Sequence, residues 1–297
     1  MIAGRLGVAA CWAALAMASP ASAQDQPPAS DTPQIVIEGR KDLRKDIGDF
    51  VGALAGKPGV QQLSRFEDGV CPATVGLTPS QRTNVVERLR RVAKAANIQV
   101  DRADCRANVV LVVTPDKSAF LQSLRQDHPS YFSGLSRGDL RRLLAAPGPA
   151  VAWQLQGPPV DALGGQMSRD RGSGVLINRT TTAGSRVAPP TRPQFATAIV
   201  VVESRALAGL TTTQLADYTA MRAYAAADPA RLGDTTAPTI LKVLEAPMGA
   251  EIPASLTRWD LGFLRGLYDT GSRFAAGQRS AMGKEVAKQI GEASDDR

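Results

Sequence analysis

The stretch RFEDGVCPATVGLTPSQRTNVVERLRRVAKAANIQVDRADCRANVVLVVTPD, residues 65–116, decides how the chain folds. Thr78 followed by Pro79 reads as a helix N-cap with proline at its favoured first-turn position. Val85, Leu89, Val92, Ala93 and Ala96 then recur at helical spacing, and Glu87, Arg88, Arg91 and Lys94 are expected to face away from that stripe. Asn97 ends the helix. Residues 108–113, NVVLVV, form an unbroken β-branched run, the pattern of a central strand buried on both faces.

Cys71 and Cys105 stand on either side of the helix, and the spacing is not the C-x-x-C of a redox-active dithiol. In an oxidising compartment such a pair forms a structural disulfide, worth roughly 3–4 kcal/mol by loop closure at this separation. The compartment is read from residues 1–23. Arg5 precedes an apolar run over residues 6–17, and Ala21-Ser22-Ala23 supplies a small-residue cleavage pattern, so a signal peptide cut before Gln24 is expected. Lipoprotein anchoring at Cys11 would leave too short a leader, and Cys11 is expected to leave with the signal. No later segment approaches the ~20 apolar residues of a transmembrane helix. Export to the periplasm or secretion follows. The formal net charge of +7 falls by one with the loss of Arg5 and suits an anionic envelope component, though a positive balance also serves solubility.

Outward from the opening stretch, residues 24–40 read as a flexible, proline-rich leader with a strand-like patch at residues 35–39. Residues 41–297 read as a single α+β domain. Leu43, Ile47, Phe50, Val51 and Leu54 predict an amphipathic helix. Further helices are expected over residues 117–126, 137–144, 211–227, 239–245, 257–267 and 278–290, with capping boxes at Ser136/Asp139, Thr211/Gln214 and Thr257/Asp260. Strands are expected over residues 150–155 and 198–203. Residues 157–193 change composition to glycine, threonine, proline and scattered arginine, which predicts a long loop with one hairpin strand near residues 174–177. Strands first and helices after predict a small mixed sheet packed by amphipathic helices, with a helix-rich C-terminal half.

The residue inventory removes several chemistries. A single histidine, His128, excludes zinc sites built on two or three imidazoles, and His128 before Pro129 reads as a turn residue. Gly134-Leu-Ser136-Arg-Gly138 matches a nucleophile elbow by letter, but no strand precedes it and no histidine follows it, so Ser136 reads as an N-cap. No glycine-rich phosphate loop accompanies the arginines, and nucleic acid is not an expected partner. No metal or cofactor is expected.

The helix over residues 212–227 is apolar or small nearly all round and should be buried. Asp217 on it is therefore the most unusual carboxylate in the chain. With Tyr218, Met221 and Tyr224 it is a candidate pocket wall, and Arg186 and Arg192 of the long loop are candidate anion grips.

The motifs VCPxxxGL, ERLRRVAKAA, CRANVVLVVTPD, AWQL, AIVVVES, LADYTAM and DLGFLRGLY, spread over residues 66–290, resemble a group of uncharacterised exported proteins of alphaproteobacteria. More distantly the chain is similar to an exported domain of unknown function with metallopeptidase-like organisation. That resemblance implies a scaffold without the catalysis, because the helix over residues 212–227 holds no histidine where a zinc-binding helix would stand. The expected function is a non-catalytic binding or structural role in the envelope, with an anionic component or another envelope protein as partner. The alternative is a carboxylate-dependent hydrolase of envelope polymers using Asp217 and Glu203.

Overall fold

The computed structural model describes residues 33–56, 62–161, 166–170, 172–179, 190–247, 249–269, 271 and 275–295. The signal-peptide segment, Arg186 and part of the long loop lie outside the described residues. A four-stranded mixed sheet has the order β1-β2-β8-β3. β1 (Pro72–Val75), β2 (Val109–Thr114) and β8 (Phe195–Glu203) run parallel, and β3 (Ala150–Gln156) closes the sheet antiparallel to β8. Pro72 sits on edge strand β1, where a missing N–H does least damage to the ladder.

The two central strands are buried on both faces, and their period of two divides the interior into two cores. Val109, Leu111 and Val113 of β2 join Ala198, Val200 and Val202 of β8 in the first core. Val112 joins Ile199, Val201, Val151 and Trp153 in the second. The first core is covered by Ile47 to Ala55 of α1 (Pro33–Ala55), and by α2 (Pro79–Ala95), α5 (Thr212–Tyr224), α6 (Arg258–Asp269) and α7 (Ala275–Asp295). The second is covered by α3 (Lys117–Asp127) and α4 (Arg137–Leu144), with Phe132 stacked on Trp153 at 5.4 Å. The result is an α+β fold whose chain after β8 is helical. Among the described residues, no helix is long and apolar enough to cross a membrane.

The opening stretch folds as its pattern demands. Thr78 caps α2 in a full capping box with Gln81, and Val85, Leu89, Val92, Ala93 and Ala96 are all buried. Cys71 and Cys105 are joined in a disulfide that ties the start of β1 to the loop before β2. Gly69 is fixed by the same loop, since a Cβ there would stand 2.2 Å from an Asp101 carboxylate oxygen.

Several expectations need correction. The strand-like patch at residues 35–39 is helical, because α1 starts at Pro33 and carries it into the amphipathic turns that follow. α5 stops at Tyr224 and not Ala227: the Ala225 and Ala227 N–H groups both close on the Met221 carbonyl, and Ala226 turns to φ +51°. Residues 239–245 make only a 3-10 turn, Ile240–Lys242, capped by Thr239, whose hydroxyl accepts the Leu241 N–H and donates to Asp260. The long loop holds more strand than expected: β4 (Val160–Asp161) pairs β7 (Thr191–Arg192), and β5 (Gln166–Arg169) pairs β6 (Leu176–Arg179).

Candidate functional site: a braced cleft beside α5

α5 is buried from Gln214 to Tyr224. Asp217 has no exposed surface, and an isolated carboxylate there would cost several kcal/mol. It is answered by a fork from α2: Arg88 Nε donates to Oδ1 at 2.7 Å and Nη2 to Oδ2 at 2.8 Å. The Leu256 N–H adds a third bond to Oδ2 at 2.6 Å, and Arg88 Nη2 also donates to Ser255 Oγ at 3.0 Å. The sequence-based placing of Arg88 among the solvent-facing residues is thereby corrected.

A second carboxylate, Asp260 at the third position of α6, is equally buried. Its Oδ2 accepts the Ile240 N–H (2.9 Å), the Thr257 N–H (3.1 Å) and the Thr257 hydroxyl (2.9 Å), and its Oδ1 accepts the Thr239 hydroxyl at 2.6 Å. Burial raises its pKa above the ordinary aspartate range, with these donors pulling the other way.

Between them the two acids fix the irregular chain that joins α5 to α6. Pro253 is held by Gln214 Nε2 at 2.9 Å, Ser255 by Arg88, Leu256 by Asp217 and Thr257 by Asp260. The earlier part of the same segment is tied by Thr257 Oγ1 to the Pro238 carbonyl (2.9 Å) and by Lys242 Nζ to the Thr235 carbonyl (2.5 Å).

The segment so held walls a cleft of about 740 Å³, lined among others by Leu232, Ala237, Ala246, Ala250, Ile252 and four prolines. Its polar groups are few: Lys242, Glu245, Glu251 and three threonines. Glu245 approaches Gly148, in the turn before β3, and the Glu203 N–H donates to the neighbouring Pro149 carbonyl at 2.8 Å. This end of the cleft therefore lies by the carboxyl edge of β8, the edge at which open α/β sheets take ligands.

None of the described candidate residues singled out from sequence lines this cleft. Met221 is in the first core. The Tyr224 hydroxyl donates to the Leu89 carbonyl at 3.1 Å, and burial pushes its pKa far up. Tyr218 is buried, accepts from Arg222 Nη1 at 3.2 Å and is likewise raised by burial. Arg192 is on β7, donating to Glu67 Oε2 at 2.7 Å, while Arg65 Nε donates to Glu67 Oε1 at 2.7 Å. Glu203 closes β8, its Oε1 taking the Lys117 N–H at 3.3 Å and its Oε2 taking Arg205 Nε at 2.7 Å. Lys117 Nζ donates to the Ala146 and Gly148 carbonyls, and burial lowers its pKa.

Among the described residues no three His, Cys, Asp or Glu side chains gather as metal ligands. The cleft residues were missed because the segment has no periodicity. The signals that could have found them are its recurrent prolines, Pro229, Pro238, Pro247 and Pro253, and the buried end of the Thr257/Asp260 capping box. No protein-family model, curated protein or solved structure matches the chain.

Proposed function

We propose that this chain is an exported, non-catalytic binding protein that holds a small amphipathic molecule in the cleft beside α5. The observation that carries the reading is the cleft itself: about 740 Å³, apolar over most of its lining, with a few polar groups, and with one wall pinned by two buried carboxylates. Its size and character match those of small-molecule sites, and the pinned wall pre-forms the site so that little ordering accompanies binding. Asp217 and Asp260 serve as braces, each surrounded by donors, and not as groups offered to a substrate. The Cys71–Cys105 disulfide supports an oxidising compartment, in keeping with removal of residues 1–23 on export. N-terminal sequencing of the processed chain should then begin at Gln24; a start at Cys11 would indicate lipid anchoring instead.

The test is titration with N-phenyl-1-naphthylamine, a neutral amphipathic dye. The wild-type chain should give a saturable, one-site rise in emission. Ala246→Trp, which fills the cleft, should weaken that binding at least tenfold with the melting temperature unchanged. Emission that never saturates, or that is the same in the filled variant, defeats the proposal.

A further inference from the structure

The cleft belongs to the first core; the second core carries a different surface. α4 turns Leu140, Leu143 and Leu144 inward and leaves Arg137, Arg141 and Arg142 exposed. α3 buries Leu121, packs Phe120 and Leu124 beside it, and exposes Arg125. Between the two helices runs a groove of about 470 Å³ lined by Ser118, Gln122, Arg125, Gln126 and Leu144. Its polar lining is one hydroxyl, two carboxamides and one guanidinium, with no acid, and none of these side chains bonds another described residue. Of the acids on this face, Asp116 caps α3 by accepting the Ala119 N–H at 2.9 Å, Asp139 is taken up by the Ser136 hydroxyl and Arg142, and Asp127 accepts from Ser123 Oγ at 2.9 Å. Arg125, Arg137 and Arg141 are left without a counter-ion among the described residues. Beside them, in the turn Pro129–Phe132, Phe132 is buried while Tyr131 is 41% exposed.

We propose that this α3–α4 face docks on an anionic phospholipid surface. Arg125, Arg137 and Arg141 take lipid phosphates, and the Tyr131 ring sits at headgroup level with its hydroxyl in water. The arginines are spread over two helices with an amphipathic ring beside them. That arrangement fits an extended charged surface, which presents several phosphates at once, better than a single free anion. The docking is independent of the cleft, since the two surfaces belong to different cores.

Vesicle flotation of the full chain tests it. Phosphatidylglycerol-containing vesicles should carry the protein at low salt and release it at high salt. Pure phosphatidylcholine vesicles give the charge-independent background, so the difference between the two vesicle types reads this face. Each arginine near the surface contributes about fivefold, so R125Q/R137Q/R141Q should lower the anionic partition of order 100-fold, and the triple lysine variant should keep most of it. All three side chains are exposed, and an unchanged melting temperature confirms the fold. Equal flotation of wild type and the glutamine variant, or no preference for anionic lipid, overturns the proposal. So does failure to float with lipid when inorganic phosphate or a soluble polyanion binds at Arg125.

Discussion

Arg88 of α2 and Asp217 of α5, 129 positions apart, meet in a two-bond fork of 2.7 and 2.8 Å. The carboxylate is fully buried, whereas the guanidinium side chain keeps 23% of its surface exposed. The fork therefore reaches inward from the margin of the fold to neutralise a charge in its interior. Through Leu256 and Ser255 the same pair holds the wall of the cleft.

Removing one member of such a pair strands the other. Arg88→Met should destabilise the fold by about 3 kcal/mol or more, because Asp217 is left as an uncompensated buried charge. R88M/D217N should recover at least half of that loss, since the amide still accepts the Leu256 N–H and carries no charge. Urea denaturation of the two variants measures both. A double variant no more stable than R88M would show that the charge is not what matters.

Asp260 gives stability a pH dependence of fixed sign. Its folded pKa is raised by burial, so the folded state keeps a proton that the unfolded state has released. The contribution is full below the unfolded value of about 3.9 and is lost as pH rises through the raised folded value. The slope is at most about 1.4 kcal/mol per pH unit for one proton. Asp260→Asn, neutral at every pH and still able to accept through its amide oxygen, should remove that slope. Urea midpoints from pH 4 upward should diverge between wild type and variant; parallel curves would contradict the assignment.

α6 and α7 touch through glycine. A Cβ at Gly266 would stand 2.3 Å from Met282 Cα, and one at Gly262 would stand 2.6 Å from Val286 Cα. Backbone cannot give way as a flexible side chain does, so Gly266→Ala should destabilise by about 1–3 kcal/mol. Gly138→Ala in α4, whose new methyl meets side chains only at 3.7 Å, should stabilise by about 0.5–1 kcal/mol. Thermal melts of the two variants should move in opposite directions.

Cys71→Ser/Cys105→Ser should lower stability by roughly 3–4 kcal/mol through loop closure alone. Non-reducing peptide mapping should find the two cysteines in one linked fragment, and two freely alkylated thiols would refute the bond.

Where periodicity exists, the sequence is a good guide. The α2 stripe, the β2 run, the Ser136, Thr211 and Thr257 caps and the disulfide are all local or strongly patterned features, and each appears in the structure. Arg88 shows where a binary reading of a helix fails. It lies only about 40° from Val92 around the helix, on the border of the apolar stripe, and a long guanidinium can turn inward from there. The buried helix around Asp217 demanded a cationic partner, and the border arginines were the place to seek it. The cleft itself was not legible. Its wall is irregular chain whose shape comes from hydrogen bonds to residues from 39 to 167 positions away, and no local pattern encodes those. The arginines of the long loop drew attention by composition, yet Arg192 pairs with Glu67.

In the function proposed above, the chain from Pro229 to Thr257 is a pre-formed binding wall. The most direct measurement is an amide chemical-shift titration of the ¹⁵N-labelled chain with the neutral dye. The predicted result is one saturable set of shifts confined to cleft residues such as Thr236, Glu245, Ala250 and Ile252, with the amides of Leu256 and Thr257 protected from exchange before any ligand is added. Shifts scattered over the surface, or a wall whose amides exchange freely until ligand arrives, would contradict it.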